Sequence, residues 1–152
     1  MKENLREKFK GGIIEGTIKN METGEISNVR HYLFVTDLEL FAIAKIEHIE
    51  SSELPDNSFQ ILVDCSGLDS IGQVFQLDLN FTPDFAETRN RILEDLKIDS
   101  IFIVKGAYTI TKDTNPPHIT LHDPYYEPVY PQSFKEEIRE VFRVNGDRPI
   151  RV

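Results

Sequence analysis

The chain has 152 residues, 39% of them hydrophobic and 28% charged, a balance that suits a single domain and is neither disordered nor membrane-like. Asp and Glu total 26 against 17 Lys and Arg, a formal charge of −9, so any phosphate-binding face has to be local and set against an unfavourable overall field. The single cysteine, Cys65, excludes an intrachain disulfide and a cysteine-rich zinc site.

Residues 1–10 read as a charged lead with no apolar stretch and cleavage site behind it, unlike a signal peptide. The apolar runs FAIA (41–44) and IFIV (101–104) are too short to cross a bilayer as helices. A cytoplasmic location with no membrane partner is the expectation. After Gly11 and Gly12, residues 13–18 read as a strand bent at Gly16, and Thr23-Gly24 marks a turn. A second strand over 27–34 puts Val29, His31 and Leu33 on one face and Tyr32 and Phe34 on the other.

The stretch 38–49 fits two templates. Leu38, Leu40, Ala42, Ala44 and Ile46 alternate as in a strand, while Leu38, Phe41 and Lys45 could begin a helix; the β-branched Ile43, Ile46 and Ile49 and the lack of a cap favour strand. Pro55, Asp56 and Asn57 mark a loop over 51–58. A strand over 59–65 ends at Ser66-Gly67, and Cys65 within it reads as a small buried residue. Phe75, Leu77, Leu79 and Phe81 then alternate with Gln76, Asp78 and Asn80, the signature of a half-buried antiparallel strand.

Thr82 as N-cap, Pro83 at the first helical position and Asp84 in the first turn predict a helix out to Lys97, with Phe85, Ile92, Leu93 and Leu96 as its apolar stripe. A strand over 101–110 follows, then a turn at Asn115-Pro116-Pro117 and a return strand over 119–121. The run DPYYEPVYP (123–131) reads as a stiff extended connection, because proline restricts the residue before it. Ser133 and Glu136 form a capping box for an amphipathic helix over 132–145, with Phe134, Ile138, Val141 and Phe142 on its apolar side and Asn145-Gly146 at its end. Residues 147–152 are a tail.

ILEDL (92–96), IFIVKGAY (101–108) and HITLHDP (118–124) together resemble the end of the OB-fold family, in which a helix precedes a strand carrying one glycine, a turn and a last strand. The resemblance is strongest over 73–128. It implies a small, closed or partly open antiparallel barrel over 11–128 within one domain of 1–152, an internal helix plugging one end, and a C-terminal helical appendage at 132–145. The chain departs from the simplest member by offering more strand candidates before the helix than the three expected.

The family's usual ligand, single-stranded DNA or RNA, implies a face on which bases stack against aromatics while Lys or Arg meets phosphate. Carried onto this chain, that face comprises Arg30, Tyr32, Phe34, Lys45, Lys105 and Tyr108. Phe34 also reads as plain core, and the basic residues as isolated surface charges. A second reading is an acidic protein-interaction or structural module, partner or homodimer, using Tyr125, Tyr126, Tyr130, Phe134 and Ile138. Lys135, Arg139 and Arg143, spaced by four, run along one side of the last helix beside Glu136, Glu137 and Glu140.

Enzyme readings have less to build on. The sequence carries no phosphate loop, dinucleotide fingerprint or His-Glu-x-x-His. His118 and His122 sit on one face of a strand about 13 Å apart, too far to share an ion. Asp64, Asp69 and Asp78 would need to converge to hold a metal. The expectation is a non-catalytic protein with no cofactor and no metal.

Overall fold

In the computed structural model, which describes residues 10–19, 22–69, 72–111 and 118–146, seven strands and two helices follow one another. They are β1 (Lys10–Lys19), β2 (Ile26–Val35), β3 (Glu39–Glu53), β4 (Phe59–Leu68), β5 (Val74–Phe81), α1 (Ala86–Asp95), β6 (Ile101–Thr111), β7 (His118–Pro128) and α2 (Gln132–Gly146). The sheet runs β1-β2-β3-β4-β5-β7-β6, and β3 pairs with β6 as well. Every pairing is antiparallel except β5 with β7, which is parallel from Leu77↔Ile119 to Asn80↔His122.

The fold expectation is corrected on this point: the chain forms a mostly antiparallel but mixed sheet with two helices, not the small antiparallel barrel of OB type. Five strands precede the first helix where the resemblance implies three. The excess comes from β1 and β2, which pair with each other from Lys10↔Val35 to Lys19↔Ile26 but meet β3 only at Phe34↔Phe41 and Val35↔Leu40. The long β3 serves several neighbours. Its first half lies beside β6, from Glu39↔Ala107 to Lys45↔Ile101, and its larger part beside β4. A bulge between Ile46 and His48 shifts the β3–β4 register, and there the Asp99 N–H donates to the Ile46 carbonyl while the Ile46 N–H donates to the Ser100 carbonyl.

Strict alternation explains the interior. Leu40, Ala42, Ala44 and Ile46 of β3, Ile61, Val63 and Cys65 of β4, and Phe75, Leu77, Leu79 and Phe81 of β5 are buried together with Phe102, Val104, Ile119 and Leu121. Ile92 and Leu96 bring α1 into the same cluster. A smaller cluster joins Leu68, Ile101 and Val129 to Ile138 and Phe142 of α2. Leu38, placed by its alternation with the interior, is instead 78% exposed, because β3 begins only at Glu39.

The first helix starts later than its capping signals predict. Its N-cap is Phe85, in extended conformation and with no side-chain cap, and Phe85 is exposed rather than part of the buried stripe. Thr82 is occupied elsewhere: its N–H and its hydroxyl each donate to the Asp123 carboxylate at 2.7 Å. The Pro83 carbonyl accepts from Phe59 N–H, so residues 82 and 83 are held to neighbouring strands. The prolines of 123–131 also behave differently from a simple connection. Tyr125, Tyr126, Glu127 and Pro128 pair with β6 opposite Lys105, Val104, Ile103 and Phe102, extending β7 well past the predicted 119–121. α2 begins at Gln132, so Ser133 lies within the helix rather than at its cap.

Two glycines are fixed by close approach. A Cβ on Gly67 would lie 2.6 Å from the Phe75 ring across the β4–β5 ladder. A Cβ on Gly106, beside the Lys105/Ala107 bulge, would lie 3.0 Å from Pro124 Cα. The charged lead, the Asn115-Pro116-Pro117 turn and the tail from 147 lie outside the described residues, as do the side chains of Arg30 and Tyr32.

Candidate functional site

The same alternation that fills the interior directs polar side chains outward from β4, β5 and β7. Asp64 of β4 lies directly opposite Asp78 of β5, and Asp78 lies opposite Thr120 of β7. Like charges at such a position repel across the strands. Asp78 accepts a hydrogen bond from Gln76 Nε2 at 3.0 Å, and its Oδ2 is 3.7 Å from His118 Nδ1. Burial between the flanking strands is the largest influence on the Asp78 carboxyl and raises its pKa; the facing Asp64 carboxylate pushes the same way, against Gln76 and His118. Nearby, Gln60 Nε2 donates to Asn80, and His122 Nε2 pairs with the Thr109 hydroxyl at 2.9 Å. Asp69 is apart from this group, in the turn before β5, where its carboxylate accepts the Gln73 N–H. Among the described residues no three His, Cys, Asp or Glu side chains gather as a metal site.

A cleft of about 570 Å³ lies where α2 covers the sheet and is lined by Lys45, Glu47, Ser66, Asp99, Arg139, Glu140 and Arg143 among others. Its charges are mixed and matched. Lys45 lies 3.6 Å from Glu47, which also accepts from the Ser66 hydroxyl. Arg139 donates to the Asp99 carbonyl, and Arg143 forms a forked pair with Glu140 that holds the Glu140 carboxyl below its ordinary range. Two of the cations spaced by four on α2, Arg139 and Arg143, are thus engaged on the sheet side and within the helix.

The described members of the expected aromatic-basic face lie on β2, β3 and β6. Phe34 is half-buried edge-on to Phe41. Tyr108 is half-buried against the main cluster. Lys45 and Lys105 stand at the two ends of the β3–β6 ladder, opposite Ile101 and Phe41 respectively. Lys45 leans to Glu47 and Lys105 lies 5.5 Å over the Tyr125 ring. Arg30 and Tyr32 are on β2, their side chains outside the described residues.

The Pro-Tyr residues divide as well. Tyr126 is set edge-on between Phe81 and Phe102 and donates its hydroxyl to Asp95 of α1 at 2.7 Å, while Tyr125 and Tyr130 are exposed. On α2, Ile138 is buried against the sheet and Phe134 is partly exposed. Sequence reasoning named Asp64 and Asp78 without seeing that they face each other, and missed both the Asp123–Thr82 clamp and the Tyr126–Asp95 bond. Asp123 before Pro124 was the available signal for the clamp, since a short polar side chain tolerates the left-handed backbone found there, φ 45°.

No protein-family model matches the chain, and no curated protein matches it. The OB-type assignment and the single-stranded nucleic-acid function that came with it are corrected by the fold, a mostly antiparallel mixed sheet with two helices. The alternative module built on the Pro-Tyr segment and last helix is corrected too, because Ile138 and Phe142 are already spent on the sheet and Tyr126 on Phe81, Phe102 and Asp95. No helix among the described residues is long and apolar enough to cross a membrane.

Proposed function

We propose that the chain is a non-catalytic assembly module that pairs with a second copy of itself along the free edge of β1. One observation carries this reading. β1 is bonded along its whole length to β2 and has no second neighbour among the described residues, while the β1–β2 ribbon reaches the other strands only at two register positions. A two-stranded ribbon is marginal in water without a third strand or a cover, and an open edge is a template for another strand. Antiparallel addition of a strand to its own copy is two-fold symmetric and closes at two subunits. The strand KGGIIEGTIK carries two lysines and one glutamate in a chain of net −9, so joining two copies there does not bring the acidic surplus of the chain together.

The non-catalytic part of the reading is supported by where the reactive groups are placed. The Cys65 thiol is buried and its pKa is pushed up by that burial and by nearby carboxylates, which disfavours the thiolate. His118 and His122 are committed to different neighbours, Asp78 and Thr109.

Sedimentation over a concentration series tests the assembly. Ile13→Pro and Ile14→Pro are made separately, because successive N–H groups of a strand point to opposite edges. The variant that loses the outward N–H should keep its ribbon and lose the dimer. A wild-type chain that sediments as a monomer throughout, or a dimer that survives both variants, overturns the proposal.

A further inference from the structure

The β5–β7 seam is the sheet's parallel pairing and spans four register positions, Leu77↔Ile119 to Asn80↔His122. Asp78 sits within it, and every element beside it presents a group that responds to protons or hydrogen bonds. From β4 comes the Asp64 carboxyl, directly opposite; from β7 come His118 at 3.7 Å and Thr120 opposite; on β5 itself Gln76 donates to the carboxylate and Asn80 follows. His122 of β7 stands opposite Asn80, and the Cys65 thiol lies on the interior side of β4, near enough to feel the Asp78 charge.

Asp64 and Asp78 stand directly opposite each other across the β4–β5 ladder, where facing side chains meet. Two carboxylates are acceptors only, so the pair can hydrogen-bond only while one of them carries a proton. Loss of that proton replaces a bond across β4–β5 by repulsion at a directly opposed pair. Asp78 can then relieve the repulsion only by moving toward His118, on the strand that the seam holds.

We propose that Asp64, Asp78 and His118 form a proton-operated latch on the β4–β5–β7 seam, closed when the two carboxyls share a proton and loosened when both are ionised. The direction follows from linkage. The folded chain holds the Asp78 proton more tightly than the unfolded chain does, so the latch contributes fully below the ordinary carboxyl range and is lost as pH rises through the elevated Asp78 value. A protonated His118 opposes the loosening by attracting the Asp78 carboxylate.

Hydrogen exchange, corrected for intrinsic rates and followed from about pH 4 to about pH 8, reads the latch at the amides of Leu77–Asn80 and Ile119–His122. Protection of these amides should fall with rising pH by about tenfold for each unit by which the Asp78 pKa is raised. The β3–β4 amides should not follow. Asp78→Asn and Asp64→Asn should each flatten the profile. An equal fall in both variants, or in all strands of the wild type, overturns the latch. If Asp78→Asn does not fold, Asp64→Asn and the carboxyl titration of Asp78 in the wild type decide: a midpoint at or below the ordinary aspartate value overturns it.

Discussion

Two apolar clusters share one sheet and are put together in different ways. The larger takes alternate residues from β3, β4, β5, β6 and β7, each of them paired with at least two other strands, and receives Ile92 and Leu96 from α1. The smaller has few sheet residues, Leu68 and Ile101 with Val129, and closes only when Ile138 and Phe142 arrive on α2. A 15-residue helix is marginal alone in water, so α2 depends on the surface that it covers. The strands that build the large cluster, by contrast, are locked by one another. Core loss in the first cluster should therefore be felt by the whole sheet, and in the second by one helix.

Leu77→Ala is the sharpest way to break the contrast. Leu77 is fully buried on β5, between Cys65 of β4 and Ile119 of β7. Truncation leaves a cavity walled by paired backbones that cannot collapse, and a loss of about 3–5 kcal/mol is expected. Chemical denaturation should show one transition at lower midpoint, with far-ultraviolet and tyrosine signals moving together. Phe142→Ala, in the smaller cluster, should cost less, about 2–4 kcal/mol, because the helix can shift over the gap. Exchange should rise along α2 while the amides of β4 and β5 stay protected; a uniform rise would place both clusters in a single cooperative unit.

How much of this was readable in advance divides along the same line. The large cluster was legible because period-2 alternation in β3 and β5 needs no knowledge of the partner, and Leu77, Leu79 and Ala44 followed from it. The apolar stripe of α2, with Ile138 and Phe142, was legible in the same way from its helical period. Pairing was not. Nothing local says that β7 runs parallel to β5, that Lys45 and Lys105 lie at opposite ends of one ladder, or that Asp64 faces Asp78. Local signals failed where a distant residue competed for the same group: Thr82 is a fair helix cap by type, but Asp123, 41 positions away, takes both its donors. The candidate nucleic-acid residues were chosen by residue type, and none is placed by its neighbours in sequence.

Tyr126 ties β7 to the first helix and supplies the finest test. Its ring stands edge-on to Phe81 and Phe102, with centroids 5.9 and 5.8 Å away, and its hydroxyl donates to Asp95 at the end of α1. Burial, then the Asp95 carboxylate, raise the pKa of the phenol, so at neutral pH it acts as a donor. Tyr126→Phe keeps both ring contacts and removes only the bond to α1, at a cost of about 1 kcal/mol. Tyr126→Ala removes the rings' packing too and should cost roughly 3 kcal/mol or more. If β7 is held chiefly by its aromatic packing, exchange in Tyr126→Phe should rise at the last turn of α1 and not along β7. Equal losses in the two variants would instead make the hydroxyl the main tie between helix and strand, and the main cluster would then depend on α1 more than its two buried side chains suggest.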